Sequence, residues 1–104
     1  MADERTEGDS TDDERLAAYA KALGHPIRVQ IMRVLLERDR CMTGELVEEL
    51  PVVQSTASEH LRVLRAAGLI RGQVDGPRVC YCVDPSGIEG LRVLLDALAP
   101  TCCR

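Results

Sequence analysis

The stretch Gln54–Ile70, which reads QSTASEHLRVLRAAGLI, decides the fold that the sequence predicts. Three of its apolar residues recur at helical spacing and are expected to form one buried face: Ala57, Leu61 and Leu64. The helix begins at Gln54 or Ser55, and Gly68 ends it because glycine readily adopts the left-handed conformation that closes a helix. Most of the remaining side chains are polar or charged, so we expect them to face away from the core.

Three further helices are predicted upstream of this stretch. The first begins with a capping box at residues 11–14 and ends near Gly24. The second begins at Pro26 and ends in the charged run at residues 37–40. The third begins at Thr43 as its N-cap, and Pro51 ends it. Only a short link then separates it from the helix at Gln54, and two short helices joined by a tight turn are typical of a helix-turn-helix.

Downstream of the stretch, the apolar pattern changes from a period of 3.6 to a period of two. Alternating residues flank a turn at residues 75–77: Ile70, Gly72 and Val74 before it, and Val79, Tyr81 and Val83 after it. This pattern predicts a β-hairpin. Asp84 and Pro85 then cap a last helix with an apolar stripe: Ile88, Leu91, Leu94, Leu95 and Leu98. The predicted fold class is therefore mainly α with a β-hairpin, a winged helix-turn-helix.

Charge is unevenly distributed along the 104 residues, whose formal net charge of −4 would by itself argue against a nucleic-acid partner. Residues 1–15 have a net charge of −5 and residues 16–104 a net charge of +1. We therefore expect a disordered acidic tail at residues 1–10. Residues 11–99 are expected to form the domain for DNA binding and dimerisation, and residues 100–104 a cysteine-containing tail. No apolar run approaches the roughly 18 residues of a membrane-spanning helix, and the start is acidic, so we expect a cytoplasmic protein without a membrane partner.

The polar face of the helix at Gln54 carries side chains that can contact phosphates or base edges. Between residues 54 and 82, four arginines outweigh two acids, so the local net charge is +2. The alternative is the solvated surface of an ordinary helical domain, and for His60 alone a structural role is favoured over a base contact. The candidate DNA contacts are Gln54, Ser55, Thr56, Ser58, Glu59, His60 and Arg62 on the helix, with Arg71 and Arg78 beside the hairpin turn.

Three segments resemble the ArsR (ArsR/SmtB) family of metal-responsive repressors: ALGHPIR at residues 22–28, the stretch at 54–70, and GPRVCY at 76–81. The resemblance implies a homodimer that binds a palindromic operator in double-stranded DNA and is released by a metal, a metalloid or an oxidant. It also implies a dimer interface built from the first and last helices, here Leu16, Tyr19, Leu23, Leu91, Leu95 and Leu98. An uncovered leucine stripe on a small domain independently favours a dimer.

The chain has five cysteines, which in a reducing compartment favour metal or redox chemistry over a disulfide scaffold. The adjacent Cys102 and Cys103 can both ligate one soft ion, and trivalent arsenic or antimony favours three thiolates. Cys41 is the favoured third ligand, because it lies where some members of the resembled family carry a cysteine cluster. Cys80 and Cys82 share one face of the hairpin and are the other candidates, although buried small side chains are an equally good reading of these two.

The predicted function is therefore a repressor that is released from DNA by arsenite or antimonite, without an organic cofactor. Release by thiol oxidation or persulfide, or by a divalent soft metal such as cadmium or zinc, is the alternative. A remoter alternative is a small thiol enzyme or a metal chaperone. No Cys/His arrangement with an orienting group, no phosphate loop and no carboxylate pair supports catalysis, so we expect no enzyme.

Overall fold

The structure of the protein, a computed structural model, describes residues 7–38, 50–76 and 78–100. These residues form four helices and one hairpin: α1 (Glu7–Ala22), α2 (Pro26–Arg38), α3 (Gln54–Ala66), β1 (Ile70–Asp75), β2 (Arg78–Val83) and α4 (Pro85–Asp96). The helix predicted at residues 43–50 lies outside the described residues apart from Leu50, which is buried. The order of the described elements is the predicted one. None of the described helices is both long enough and apolar enough to cross a membrane.

Helix α1 begins at Glu7, before the predicted capping box at Thr11. Residues 7–10, which the sequence assigned to a disordered tail, therefore belong to the helix. No proline interrupts residues 7–22, and acidic residues suit the N-terminal turns of a helix because its dipole stabilises negative charge. A capping box permits a helix to begin, but it does not prevent an earlier start.

The core lies where α2 and α3 pack against the start of the hairpin. It consists of Tyr19, Ala22, Ile31, Val34, Leu35, Leu50, Ala57, Leu61, Leu64, Leu69 and Ile70. The predicted apolar face of α3 is thus confirmed, and α2 contributes Ile31, Val34 and Leu35, with Ile27 partly buried. Complete burial of a large aliphatic side chain contributes roughly 1.5–3 kcal/mol, so the fully enclosed Ile31 and Leu64 are among the main sources of stability.

Gly68 ends α3 as predicted, with a φ of +86° that other residues rarely adopt. Its amide donates to the carbonyl oxygen of Arg65 at 3.0 Å, and the amide of Leu69 donates to that of Leu64 at 3.1 Å. These two bonds satisfy carbonyl groups that the end of a helix leaves without partners. They also turn the chain so that Leu69 and Ile70 enter the core directly.

The hairpin is antiparallel, and its register runs from Ile70 opposite Val83 to Asp75 opposite Arg78. The turn includes Gly76, which has a φ of +66°. One face of the hairpin packs toward α3, since a Cβ built on Gly72 would lie 3.6 Å from Nη1 of Arg65. The opposite face carries Arg71, Gln73, Cys80 and Cys82.

The Asp84 carboxylate caps α4 as predicted, accepting from the amide of Ser86 at 3.0 Å and from its hydroxyl at 2.8 Å. Both hydrogen bonds lower the pKa of Asp84, and the bond from the Ser86 hydroxyl has the larger effect. The amide of Asp84 donates to the carbonyl oxygen of Leu69 at 3.0 Å, so the cap is attached to the residue that follows α3. The first turn of α4 then rests on the backbone that closes α3, because Gly87 is buried against Gly68.

Replacing Gly87 with alanine is expected to destabilise the protein. The added Cβ would overlap the carbonyl oxygen of Gly68 and lie 2.8 Å from its carbonyl carbon, and backbone cannot move as side chains do. The free energy of unfolding, measured in urea at fixed protein concentration, should fall by about 1–3 kcal/mol.

Gly90→Ala is the matched control in the same helix. Its Cβ would meet the ends of side chains rather than backbone, the Tyr19 hydroxyl at 2.9 Å and Arg15 Nη2 at 3.2 Å. The exposed Arg15 can move aside, whereas the buried Tyr19 ring must shift slightly. Alanine also favours the helix by roughly 0.5–1 kcal/mol over glycine. Equal losses of stability in the two variants would contradict the close packing of Gly87.

Candidate nucleic-acid interface

Helix α3 has one buried face and one exposed face. Six of the side chains predicted to contact DNA are exposed on it: Gln54, Ser55, Thr56, Ser58, Glu59 and Arg62. Their spacing places Ser55, Glu59 and Arg62 along one line of the helix. No side chain caps the start of α3, where Val53 is the N-cap residue and is 67% exposed. The first amide groups of α3 thus lie at an exposed helix end, which favours a negatively charged ligand.

An ion pair joins two of these exposed side chains. The guanidinium of Arg62 donates from Nε to Oε1 of Glu59 at 3.0 Å and from Nη2 to Oε2 at 2.6 Å. The hydrogen bonds lower the pKa of Glu59 and raise that of Arg62. Both side chains are more than half exposed, and exposed pairs contribute little to stability. A phosphate or a base therefore competes with Glu59 for Arg62 at small cost.

His60 does not lie on the exposed face, which argues against its prediction as a DNA contact and agrees with the structural role that the sequence favoured for it. The residue is only 7% exposed, and its Nδ1 accepts a hydrogen bond from Nε of Arg28 at 3.1 Å. Its ring is tilted against that of His25, with the ring centroids 4.5 Å apart. Position 60 falls on the same side of the helix as Ala57 and Leu64, so the ring points into the protein.

Arg28 is a residue whose role the sequence did not reveal. Besides its bond to His60, it donates from Nη1 to the carbonyl oxygens of Lys21 at 3.2 Å and Ala22 at 3.5 Å, in the last turn of α1. A cation at this position also interacts favourably with the negative end of the helix dipole. Arg28 therefore connects α1, α2 and α3. The only available signal was its place in the segment ALGHPIR.

His25 closes the other side of this cluster. Its Nδ1 accepts from the amide of Ile27 at 3.2 Å, at the start of α2. Burial is the main cause that lowers the pKa of His60, and the charges of His25 and Arg28 lower it further, while Glu59 opposes the shift. The structure thus keeps His60 neutral, as an acceptor for Arg28.

The two predicted hairpin arginines differ in their surroundings. Arg71 lies on the hairpin face that points away from α3, opposite Cys82, and its charge contributes to the lowered pKa of Asp84. The backbone of Arg78 pairs with Asp75 next to the turn, and its side chain lies outside what the structure describes. Arg65 is a further exposed cation, which the sequence did not select, and it extends from α3 toward the hairpin at Gly72.

Known proteins resemble this chain over the region that contains α3 and the start of the hairpin. Residues 25–71 match the family model described as bacterial regulatory protein, arsR family. The uncharacterized HTH-type transcriptional regulator Rv0081 of Mycobacterium tuberculosis is 34% identical over 92 residues, covering 80% of this chain and 81% of that protein. The chain belongs to the ArsR family. The resemblance predicted from three short segments is confirmed.

Further relatives support the ArsR-family fold. The HTH-type transcriptional repressor SmtB of M. tuberculosis is 38% identical over 79 residues, covering 76% of this chain. The chain spans only 56% of the length of SmtB. A crystal structure described as a possible transcriptional regulator for arsenical resistance has a TM-score of 0.69 and 31% identity, and the match covers 80% of this chain and 85% of that one. The predicted winged helix-turn-helix is thus confirmed as the fold.

The cysteines of this ArsR-family chain fall into two groups. Cys41, Cys102 and Cys103, the predicted ligands, lie outside the described residues, as does most of the predicted C-terminal tail. Cys80 and Cys82 are free thiols, partly buried on one face of β2. Within residues 7–38, 50–76 and 78–100, no three His, Cys, Asp or Glu side chains are grouped to hold a metal ion.

The predicted dimer residues also differ in exposure. Leu95 and Leu98 are 51% and 68% exposed near the end of α4, together with Val93, which the sequence did not select. Leu16, Leu23 and Leu91 are partly buried. Tyr19 is buried within the chain, where its hydroxyl lies beside Gly90 of α4. The exposed apolar surface of α4 is therefore concentrated at its C-terminal end.

The stability of the protein should fall on acidification because of His60. The folded state lowers the pKa of His60 below its ordinary value of about 6.5, so the unfolded chain binds more protons between the two values. The stabilisation is present above pH 6.5 and is lost as the pH falls below it. Urea unfolding of the wild type and of His60→Gln, measured from pH 7.5 to pH 5, should show a weaker pH dependence in the variant.

NMR titration of the His60 ring checks the same conclusion directly. It should titrate below pH 6.5 in the folded protein. A midpoint at or above 6.5 would contradict the buried, Arg28-bound position of this ring.

Proposed function

We propose that the protein is a homodimeric transcriptional repressor that binds operator DNA with α3 and the hairpin. The observation that supports this proposal best is the exposed polar face of α3, with six hydrogen-bonding side chains on a helix whose other face is anchored in the core. In DNA-binding helices of this kind, the N-terminal residues reach base edges in the major groove. Gln54, Ser55 and Thr56 occupy that position here.

Four of the six exposed side chains have matching partners on DNA. Gln54 suits adenine and Arg62 suits guanine, whereas the hydroxyl groups of Ser55 and Thr56 suit phosphates or bases. Arg65, between α3 and the hairpin, extends the positive charge toward the second element that meets the duplex. The net negative charge of the chain comes from residues 1–15, which carry −5, whereas residues 16–104 carry +1.

Dimerisation is proposed to use α1 and α4. The exposed Leu95 and Leu98 form an apolar surface that a second copy would cover. A two-fold symmetric dimer places two α3 helices in successive major grooves, roughly 34 Å apart. The operator is then expected to be palindromic.

Release is proposed to follow the binding of arsenite or antimonite to Cys102, Cys103 and Cys41. Thiolates are the ligands that soft ions prefer, and trivalent arsenic takes three. The similarity to a possible transcriptional regulator for arsenical resistance supports this choice of inducer. Ligation must favour a conformation that fits DNA poorly, and such coupling typically amounts to about 1–3 kcal/mol.

Replacing Arg62 with glutamine is expected to weaken operator binding about tenfold, because one charged contact to DNA is lost. Fluorescence anisotropy with the protein's own upstream DNA, at several salt concentrations, measures the change. Arg15→Gln is the control, since Arg15 is an exposed arginine of α1 that pairs with Asp12 at 3.7 Å. Unchanged affinity in the Arg62 variant would exclude this face of α3 as the DNA contact.

Replacing Cys102 and Cys103 with serine should leave operator affinity intact and abolish release by arsenite. Reduced, metal-free protein bound to its upstream DNA is titrated in parallel with arsenite, antimonite, cadmium, zinc and an oxidant. Cys80→Ser/Cys82→Ser is the control and should retain release. If the Cys102/Cys103 variant still leaves the DNA on arsenite addition, the terminal pair is not the sensor.

A further inference from the structure

An open groove of about 760 Å³ lies between α2, the hairpin and α4. It borders the hairpin face that carries Arg71 and Cys82, away from the face that packs toward α3. The walls are mainly apolar, with Met32 and Leu36 from α2 and Ile88 from α4. Leu36, one of these lining residues, is 69% exposed.

Positive charge surrounds this apolar wall. Arg33, Arg71 and Arg92 line the groove, and Glu89 is the one acidic side chain among its lining residues. Glu89 forms an ion pair with Arg92, with Oε1 3.6 Å from Nη1. The pair offsets little of the positive charge, because both side chains are well exposed to solvent. The lining residues therefore combine an apolar surface with three arginines and one glutamate, and Arg71 also interacts with Asp84.

We propose that this groove binds a small organic carboxylate with an apolar body. Its volume falls within the range of about 300–1,000 Å³ that is usual for ligand sites, which are also mainly apolar with a few polar groups. The hydrocarbon part covers Met32, Leu36 and Ile88. The carboxylate accepts charge-assisted hydrogen bonds from Arg33 and Arg92, whose planar guanidinium groups match its two oxygens.

Other occupants match the groove less well. A neutral apolar molecule gains nothing from the arginines, and a cation is repelled by them. The exposed acidic part of α1 at residues 11–15 matches the charge, but it has no apolar side chain for the wall. The proposed site uses neither α3 nor the predicted ligands Cys41, Cys102 and Cys103. It shares Arg71 with the candidate DNA contacts, but the carboxylate is assigned to Arg33 and Arg92.

The test uses the full chain, without DNA, carrying ¹³C-labelled methionine methyl groups. Titration with decanoate should shift the Met32 methyl signal, assigned with Met32→Leu, in a saturable way. Decyltrimethylammonium, which has the same tail and the opposite charge, should leave it unshifted. Calorimetry then gives the affinity, and Arg33→Gln/Arg92→Gln should weaken decanoate binding about tenfold or more.

Arg15→Gln/Lys21→Gln is the matched control, because it removes the same charge from two exposed side chains outside the groove, and it should bind decanoate like the wild type. An unshifted Met32 signal, equal binding of the two amphiphiles, or equal losses in both double variants would overturn the proposal. So would a change in the monomer–dimer equilibrium of the Arg33/Arg92 variant without a change in decanoate binding, because a second copy of the chain would then occupy the groove. Since the titrations contain no DNA, failure of the repressor proposal leaves their outcome unaffected.

Discussion

The packing of Ala57, Leu61 and Leu64 against the core is the interaction on which the rest of the structure depends. It fixes the rotation of α3 about its own axis, and so decides which side chains face solvent. The exposed face can then be rich in polar groups without loss of stability, because burial on the other side holds the helix. Arg28 adds a second constraint through His60, which attaches the middle of α3 to the end of α1.

Much of this fold could be predicted from the sequence, because it follows from local patterns. The helical period of α3, the glycine that ends it and the alternation of the hairpin all act within a few residues. The start of α1 could not be predicted in the same way, since a capping box and a longer acidic helix are both compatible with residues 7–14. Position 60 shows a different limit, because the sequence named His60 among the candidate DNA contacts while favouring a structural role for it, and it gave no structural partner. Its hydrogen-bond partner is 32 residues away along the chain, and no periodicity reveals such a contact.

In the candidate site, too, some features follow from local patterns and others depend on contacts that a pattern does not specify. The exposed residues of α3 follow from its period, but the bonds between Glu59 and Arg62 depend on side-chain conformations that a pattern does not specify. Arg71 illustrates the same limit in the hairpin: the sequence placed it beside the turn, whereas the pairing register places it opposite Cys82, near the other end of the hairpin and on the face away from α3. The groove beside it is formed by α2 together with the hairpin and α4, which follow much later in the sequence. Its charge and its apolar wall become visible only when these elements are assembled.

The contact between Gly87 and Gly68 has a mechanical consequence. No side chain separates the first turn of α4 from the backbone that ends α3, and the bond from Asp84 to Leu69 joins the same two segments. A side chain between them would absorb small displacements by changing its rotamer, whereas two backbones in contact have no such freedom. A displacement of the N-terminal turn of α4 must therefore either carry the C-terminal end of α3 with it or open this contact. As long as this contact is closed, α3 and α4 therefore move together as one rigid unit.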